Sequence, residues 1–292
     1  TLVLMELLQK AGLSAYVGKV NMDRNSPEFL IEETNQSLAD TKVWLDASAQ
    51  FGPLVKPIIT PRFVPSCTSE LMTGLAKLAK EYDVPVQSHL SENHGEIDWV
   101  ASLHPESLNY TDVYYEHHLM GTVPTVMAHC IHLSDVEMDR MAETQTMVSH
   151  CPYSNVNLSS GIAPIRKLIE RNIPIGLGSD ISGGHIVSMA KVLTEAIGLS
   201  KMKWAEVDPN YAPLTLSEAF YMATKGGGQF FGHVGSFEKG YELDALIIDD
   251  TSLFDPNERS LEERLERWLY VGDDRHIIER YVAGRVVPSP KG

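Results

Sequence analysis

A chain of 292 residues is long enough to bury a large core, as one α/β domain or as a domain with an appendage. Its 24 Lys and Arg stand against 39 Asp and Glu, a formal charge of −15, which argues against nucleic-acid phosphates or an anionic membrane as partners and favours a small neutral or cationic substrate. The three cysteines, Cys67, Cys130 and Cys151, are widely spaced with no C-x-x-C pair, so neither a disulfide framework nor a Cys-based zinc finger is expected, and a reducing, cytoplasmic setting is. No run of 18 apolar residues occurs, and nothing at the N-terminus resembles a cleavable signal.

The opening "TLVLMELLQKAG" sets Leu4, Leu7 and Leu8 at helical spacing with Gly12 as a stop. The helix is already under way at the first residue, as it would be in a fragment. Short apolar, β-branched runs then alternate with helical patterns, the signature of a parallel sheet built from β-α units. The runs are "YVGKV" (16–20), "VKPIITP" (55–61), "VPVQSHL" (84–90), "TVMAHC" (125–130), "TMVSHCP" (146–152) and "IPIGLGSD" (173–180). Between them lie helices such as "LMTGLAKLAK", with Leu71, Leu75 and Leu78 on one face, and "LSDVEMDRMAE", where Ser134 and Glu137 form a capping box. A helical pattern after Asp180 continues to about residue 230, with a second box at Thr215 and Glu218. From there "VGSFEKGYELDALIID" and "IIERYVAGRVV" read as turns and strands, giving a barrel segment over 1–234 and a β appendage over 235–292.

Five consecutive strands end in polar residues: Thr60 and Arg62, His89 and Glu92, His129, His150, and Asp180. In a (β/α)₈ barrel of the TIM type the core is packed solid and only the C-terminal rim faces a cavity. A doubly wound sheet displays such residues only around its switch point, so the barrel is favoured. Six strands do not close it, and two more are needed.

Two histidines and an aspartate at the ends of three strands, His89, His129 and Asp180, can converge on a single ion in a barrel. Glu92, a few residues from His89, is then placed to carry protons to a substrate. Each residue also has a plainer reading. A lone strand-end His is more often structural than a ligand, and a lone Glu is usually solvated. Asp180 also suits a cap for the turn "ISGG". His150, followed by Cys151 and Pro152, fits a ligand and a strand-end turn equally and is placed behind the ligands. His94, His117, His118 and His132 are expected in solvent, and Cys130 as a small buried apolar residue. "KGGGQ" (225–229) lacks the spacing and the preceding strand of a phosphate loop.

The stretches "QSHLSE", "VMAHC", "SHCPYSNVNLSSG" and "GLGSD" resemble successive strand-end motifs of the amidohydrolase superfamily, in its purine and pyrimidine deaminase branch. "VKPIITPRF" (55–63) and "LYVGDDRHIIERYVAGRVV" (269–287) narrow the resemblance to the guanine deaminases. It implies that His89, His129 and Asp180 bind one Zn²⁺, with Fe²⁺ suited to the same donors. It further implies that Glu92 and Asp180 are catalytic, and that Arg62 and Phe63, together with His89 and Glu92, hold guanine. The implied reaction is hydrolysis of guanine to xanthine and ammonia, in a homodimer. The family's first strand ends in an H-x-H pair, and no such pair occurs in these 292 residues. The expectation is therefore the C-terminal two-thirds of such an enzyme, inactive alone. A superfamily deaminase or chlorohydrolase for a pyrimidine, triazine or modified adenosine, and a non-catalytic fragment or half of a split enzyme, are the alternatives.

Overall fold

The computed structural model describes residues 1–288, so the last four residues of the expected 235–292 segment lie outside it. The chain falls into two compact units, Thr1–Val148 with Leu168–Pro174, and Ser149–Lys167 with Ile175–Gly292.

The first unit opens with α1 (Leu2–Ala11), ended by Gly12 in the left-handed conformation at φ 70. The first two expected strands each appear as two short ones: β1 (Ala15–Val17) and β2 (Val20–Asn21), then, after α2 (Thr34–Ser48), β3 (Val55–Pro57) and β4 (Thr60–Pro61). β1 pairs in parallel with β3, and β2 with β4. The break has a packing cause. The chains meet so closely at Gly18 that a Cβ there would lie 1.8 Å from Thr60 Oγ1, and Pro57 and Pro61 have no N–H to give to a ladder.

Helix α3 (Ser69–Tyr82) buries Leu71, Leu75 and Leu78, and Thr68 caps it by accepting from the Leu71 N–H. β5 (Val86–Leu90) follows, then α4 (His94–Leu103), α5 (Tyr110–Glu116) and β6 (Thr125–His129). β5 and β6 are parallel and in register, with Leu90 opposite His129, so both strands finish level. Helix α6 (Asp135–Glu143) carries the expected box between Ser134 and Glu137, and β7 (Met147–His150) begins in this unit and ends in the second.

In the second unit, α7 (Pro152–Asn157), α8 (Ile165–Glu170, which runs on into the first unit) and β8 (Ile175–Leu177) lead to α9 (Met189–Glu206) and α10 (Leu216–Tyr221). The helical reading after Asp180 is therefore interrupted: a turn occupies 181–188, where "SGG" supplies no helix former, and a loop 207–215 carries two prolines. The appendage is a three-stranded antiparallel sheet of β9 (Ala245–Ile248), β10 (Ile277–Val282) and β11 (Arg285–Val286), in the order β11-β10-β9. A helix that strand text did not foresee, α11 (Leu261–Val271), lies between β9 and β10, opened by a Ser260 and Glu263 box.

Among the described residues the strands do not close into a barrel. No described helix is long and apolar enough to cross a membrane.

One ion pair in the second unit makes stability depend on pH. Arg166 grips Glu218 with both terminal nitrogens, at 2.6 and 2.9 Å, and this guanidinium pulls the Glu218 carboxyl down to about 2 from the ordinary 4.5. A depressed carboxyl stabilises the fold fully above its unfolded value and loses that contribution as pH falls from about 4.5 toward 2. After solvent screening the pair is worth about 1–2 kcal/mol. Glu218→Gln is expected to lose that much at pH 7 and only a small part of it at pH 2, read as denaturant midpoints at the two pH values.

Candidate active site

The chain leaves β5 through Ser91, which is buried and left-handed at φ 49. It leaves β6 through His129 and Cys130, at φ 70 and 53. Residues with side chains adopt this conformation at a cost of about 1 kcal/mol or more each, and such strain gathers at functional positions. Hydrogen bonds tie the two ends together: Cys130 N–H donates to the Leu90 carbonyl at 2.9 Å, and the Ile131 and His132 N–H groups both donate to the Ser91 carbonyl at 3.1 Å.

This arrangement brings three of the expected residues together. The rings of His89 and His129 lie 5.5 Å apart and 22° from parallel. Glu92 Oε2 is 3.7 Å from His129 Nε2, and His129 is only 1% exposed. His89 Nδ1 sits 2.6 Å from the Arg62 carbonyl oxygen. A carbonyl only accepts, so Nδ1 carries the proton, which in the neutral imidazole fixes the tautomer with the lone pair on Nε2 that a metal ligand needs.

Arg62 and Phe63 follow β4. The Arg62 guanidinium lies 5.2 Å from the Phe63 ring centre, and the rings of Phe63 and Trp99 of α4 meet nearly at right angles with their centres 6.4 Å apart. The Arg62 backbone is fixed from below, where Ser88 Oγ lies 2.7 Å from the Pro61 carbonyl and 3.1 Å from that of Arg62. The Tyr114 hydroxyl is 2.8 Å from the same Ser88 oxygen and donates to the His89 carbonyl at 2.8 Å. Burial pushes the Tyr114 phenol far up, so it stays a neutral donor. Sequence reasoning did not find Ser88, Glu96, Trp99, Tyr110 or Tyr114. The one signal for the tyrosines is their spacing, i and i+4 on α5, which stacks their rings at 5.7 Å.

Asp180 and His150 belong to the second unit. Asp180 is left-handed at φ 44, and its carbonyl accepts from the Gly184 N–H at 2.6 Å, so the turn reading of "SDISGG" is realised. The small residues around it have a steric cause. A Cβ on Gly178 would lie 2.6 Å from Ser149 Oγ, and one on Gly183 would lie 2.5 Å from Asp180 Oδ2 and 2.7 Å from Ser154 Oγ. Gly183→Ala is therefore expected to cost about 1–3 kcal/mol through overpacking. Gly198→Ala in α9, where a Cβ meets nothing within 4 Å, is expected to gain about 0.5–1 kcal/mol. Thermal unfolding of the two variants side by side checks both signs. His150 ends β7, 1% exposed, and its carbonyl accepts from the Gly178 N–H at 2.8 Å.

Of the four histidines expected in solvent, His94 and His118 are exposed, as expected, and His117 and His132 are half-buried. His94 and His132 lie ring against ring at 4.0 Å, and His117 Nδ1 bonds the Val113 carbonyl at 2.7 Å. Cys130 is fully buried, as expected.

Among the described residues, no group of three or more His, Cys, Asp or Glu side chains is disposed to hold a metal ion. The donors of the first unit suit one nonetheless. Two imidazoles side by side, one with its tautomer fixed by a backbone carbonyl, fit Zn²⁺ with a carboxylate close at hand.

The sequence profile of the Amidohydrolase family matches residues 2–287. A guanine deaminase of Dictyostelium discoideum is 44% identical over 293 residues, covering 98% of this chain and 65% of that protein. A crystal structure of guanine deaminase from C. acetobutylicum, with guanine bound in its active site, superposes with a TM-score of 0.95 at 52% identity, over 98% of this chain and 68% of that one. The E. coli guanine deaminase superposes at 0.89 with 34% identity, over 99% of this chain and 67% of that one. The chain thus spans about two-thirds of the length of these relatives. With the profile covering nearly every residue and relatives of this kind on both sequence and structure, the chain belongs to the amidohydrolase family of hydrolases, in the company of its guanine deaminases.

Proposed function

We propose that this chain is the larger part of a zinc-dependent guanine deaminase that hydrolyses guanine to xanthine and ammonia. The observation that carries the reading is the Glu92 carboxylate at 3.7 Å from His129, beside a His89 ring whose Nδ1 is tied to the Arg62 carbonyl at 2.6 Å. The likeness to a structure holding guanine supports it.

In this reading His89, His129 and Asp180 hold Zn²⁺, or Fe²⁺ with the same donors. When bound, the ion supplies a water of lowered pKa. Asp180 would take a proton from the water whose oxygen adds to the ring carbon bearing the exocyclic amine. Glu92 would deliver a proton to the neighbouring ring nitrogen, take up the proton of the new hydroxyl as the carbonyl forms and pass it to the amine, which leaves as ammonia, while the proton left on Asp180 restores Glu92. Arg62, always charged and a donor only, bonds the guanine O6 carbonyl. Adenine has an amine there and cannot accept. Phe63 offers a face for the ring, and His150 supports the site from the end of β7. We further propose a barrel segment over 1–234 and a β domain over 235–292, a cytoplasmic homodimer, and a requirement for two more histidines from an H-x-H pair.

The test is ammonia release from guanine, adenine, an aminopyrimidine and an aminotriazine, with zinc supplied and an H-x-H segment joined to the chain. Guanine is expected to be favoured over adenine by at least about 10⁴-fold, because adenine leaves the Arg62 donors unpaired. Preference for a pyrimidine or triazine would move the protein to another deaminase or chlorohydrolase of the family. No turnover of any of them would leave a non-catalytic chain.

A further inference from the structure

We propose that Glu96 is the positioning residue for Glu92, its buried carboxyl bridging the Glu92 backbone N–H to the Tyr110 hydroxyl. The proposal rests on the reading of Glu92 as the proton carrier.

Glu96 stands at the third position of α4, where an ordinary capping box returns the carboxylate to the N–H of the cap residue itself. Three helices of this protein do so: Glu137 accepts from the Ser134 N–H at 2.9 Å, Glu218 from Thr215 at 2.8 Å, and Glu263 from Ser260 at 2.8 Å. In α4 the cap is Asn93, whose Oδ1 accepts from the Glu96 N–H at 2.9 Å. The Glu96 carboxylate passes over Asn93 and accepts instead from the Glu92 N–H, one residue earlier, at 3.3 Å. Its other oxygen accepts from Tyr110 of α5 at 2.6 Å. Tyr110 is 3% exposed and stacks on Tyr114, which donates to the His89 carbonyl at 2.8 Å.

The need for such a hold comes from the backbone. Ser91 is left-handed, so sheet pairing ends before Glu92 and does not aim it. The Ser91–Glu92 peptide is held on its carbonyl side by Ile131 and His132, and Glu96 holds the same peptide on its N–H side. Misplacing a reacting group by about 1 Å costs on the order of 100-fold in rate, and Glu96, only 6% exposed, leaves little room for water to replace the lost bond.

The experiment compares Glu96→Ala, Glu96→Gln and Tyr110→Phe with the parent, each as the chain joined to an H-x-H segment and supplied with zinc, by hydrogen exchange at the Glu92 amide and by steady-state kinetics on guanine. Exchange at Glu92 in Glu96→Ala is expected to rise about 10-fold while amides at 98–101 keep their rates. In the kinetics, kcat falls about 10- to 100-fold and KM stays within about 2-fold. Glu96→Gln is expected within about 3-fold of the parent, since its oxygen accepts from Glu92 and its amide donates to the Tyr110 hydroxyl. Tyr110→Phe, which keeps the ring packing, is expected to fall between the two and decides the matter if Glu96→Ala does not fold. Unchanged Glu92 exchange, a rise in KM at constant kcat, or a Gln variant as poor as Ala would overturn the proposal. A parent without guanine turnover would sink the deaminase reading, and the exchange rates alone would then decide on Glu96.

Discussion

In the chain joined to an H-x-H segment, Glu92→Gln is expected to lower guanine turnover by about 10²- to 10⁴-fold, the range for removing a general acid or base, with the zinc content of the protein unchanged. The substitution keeps the size of the side chain and its place after β5, and removes only the ability to carry a proton. Glu92 lies 3.7 Å from His129, and in the proposed roles it is not one of the ion's ligands, so turnover and metal content separate. Kinetics and elemental analysis on one preparation check this. A parallel loss of zinc would make Glu92 a ligand and not a carrier.

His129→Ala is expected to have the larger effect on the site itself, with zinc affinity falling by more than about 100-fold and turnover with it. Changing only a residue behind a ligand already costs about 10- to 100-fold, and His129 would lose the ligand. The same variant carries a second cost. Its imidazole is 1% exposed and stacked on His89, so truncation leaves a cavity and costs about 2–4 kcal/mol of stability. Titration of the purified variants with zinc, followed by thermal unfolding, measures both. An alanine variant that retains zinc as the parent does would remove His129 from the proposed ligand set.

The strand ends were legible because chemistry is written locally there. In "VPVQSHL" and "TVMAHC" an apolar, β-branched run gives way to a histidine at the strand end, His89 being the penultimate residue of β5 and His129 the last of β6. Capping boxes were equally local, since Ser134 with Glu137 and Thr215 with Glu218 need only three residues of spacing. What escaped depends on residues far apart in the chain. The splitting of the first strands turns on Gly18 meeting Thr60. The supports of His89 come from Tyr114, 25 positions away.

Helix α11 was missed for another reason. "LEERLERWLYV" buries only Trp268 and Leu269, so its apolar stripe is thin, although "SLEE" already spelled the box at its start. The turn at 181–188 was absorbed into helix because a helical pattern resumes beyond it, and "SGG" was weighed as part of the Asp180 turn alone. Glu96 illustrates a finer limit. Its spacing from Asn93 announces a cap, but which N–H the carboxylate reaches is decided by Tyr110 on another helix.

The most direct test of the whole account is guanine turnover followed as xanthine and ammonia together, first with the 292-residue chain and then with a segment carrying the H-x-H pair joined to it, zinc being supplied to both. The account predicts equal amounts of xanthine and ammonia, from the joined protein only. Turnover by the 292-residue chain alone would contradict the need for the two further histidines. Absence of turnover in both, with zinc bound and the fold intact, would contradict the assignment of guanine as the substrate.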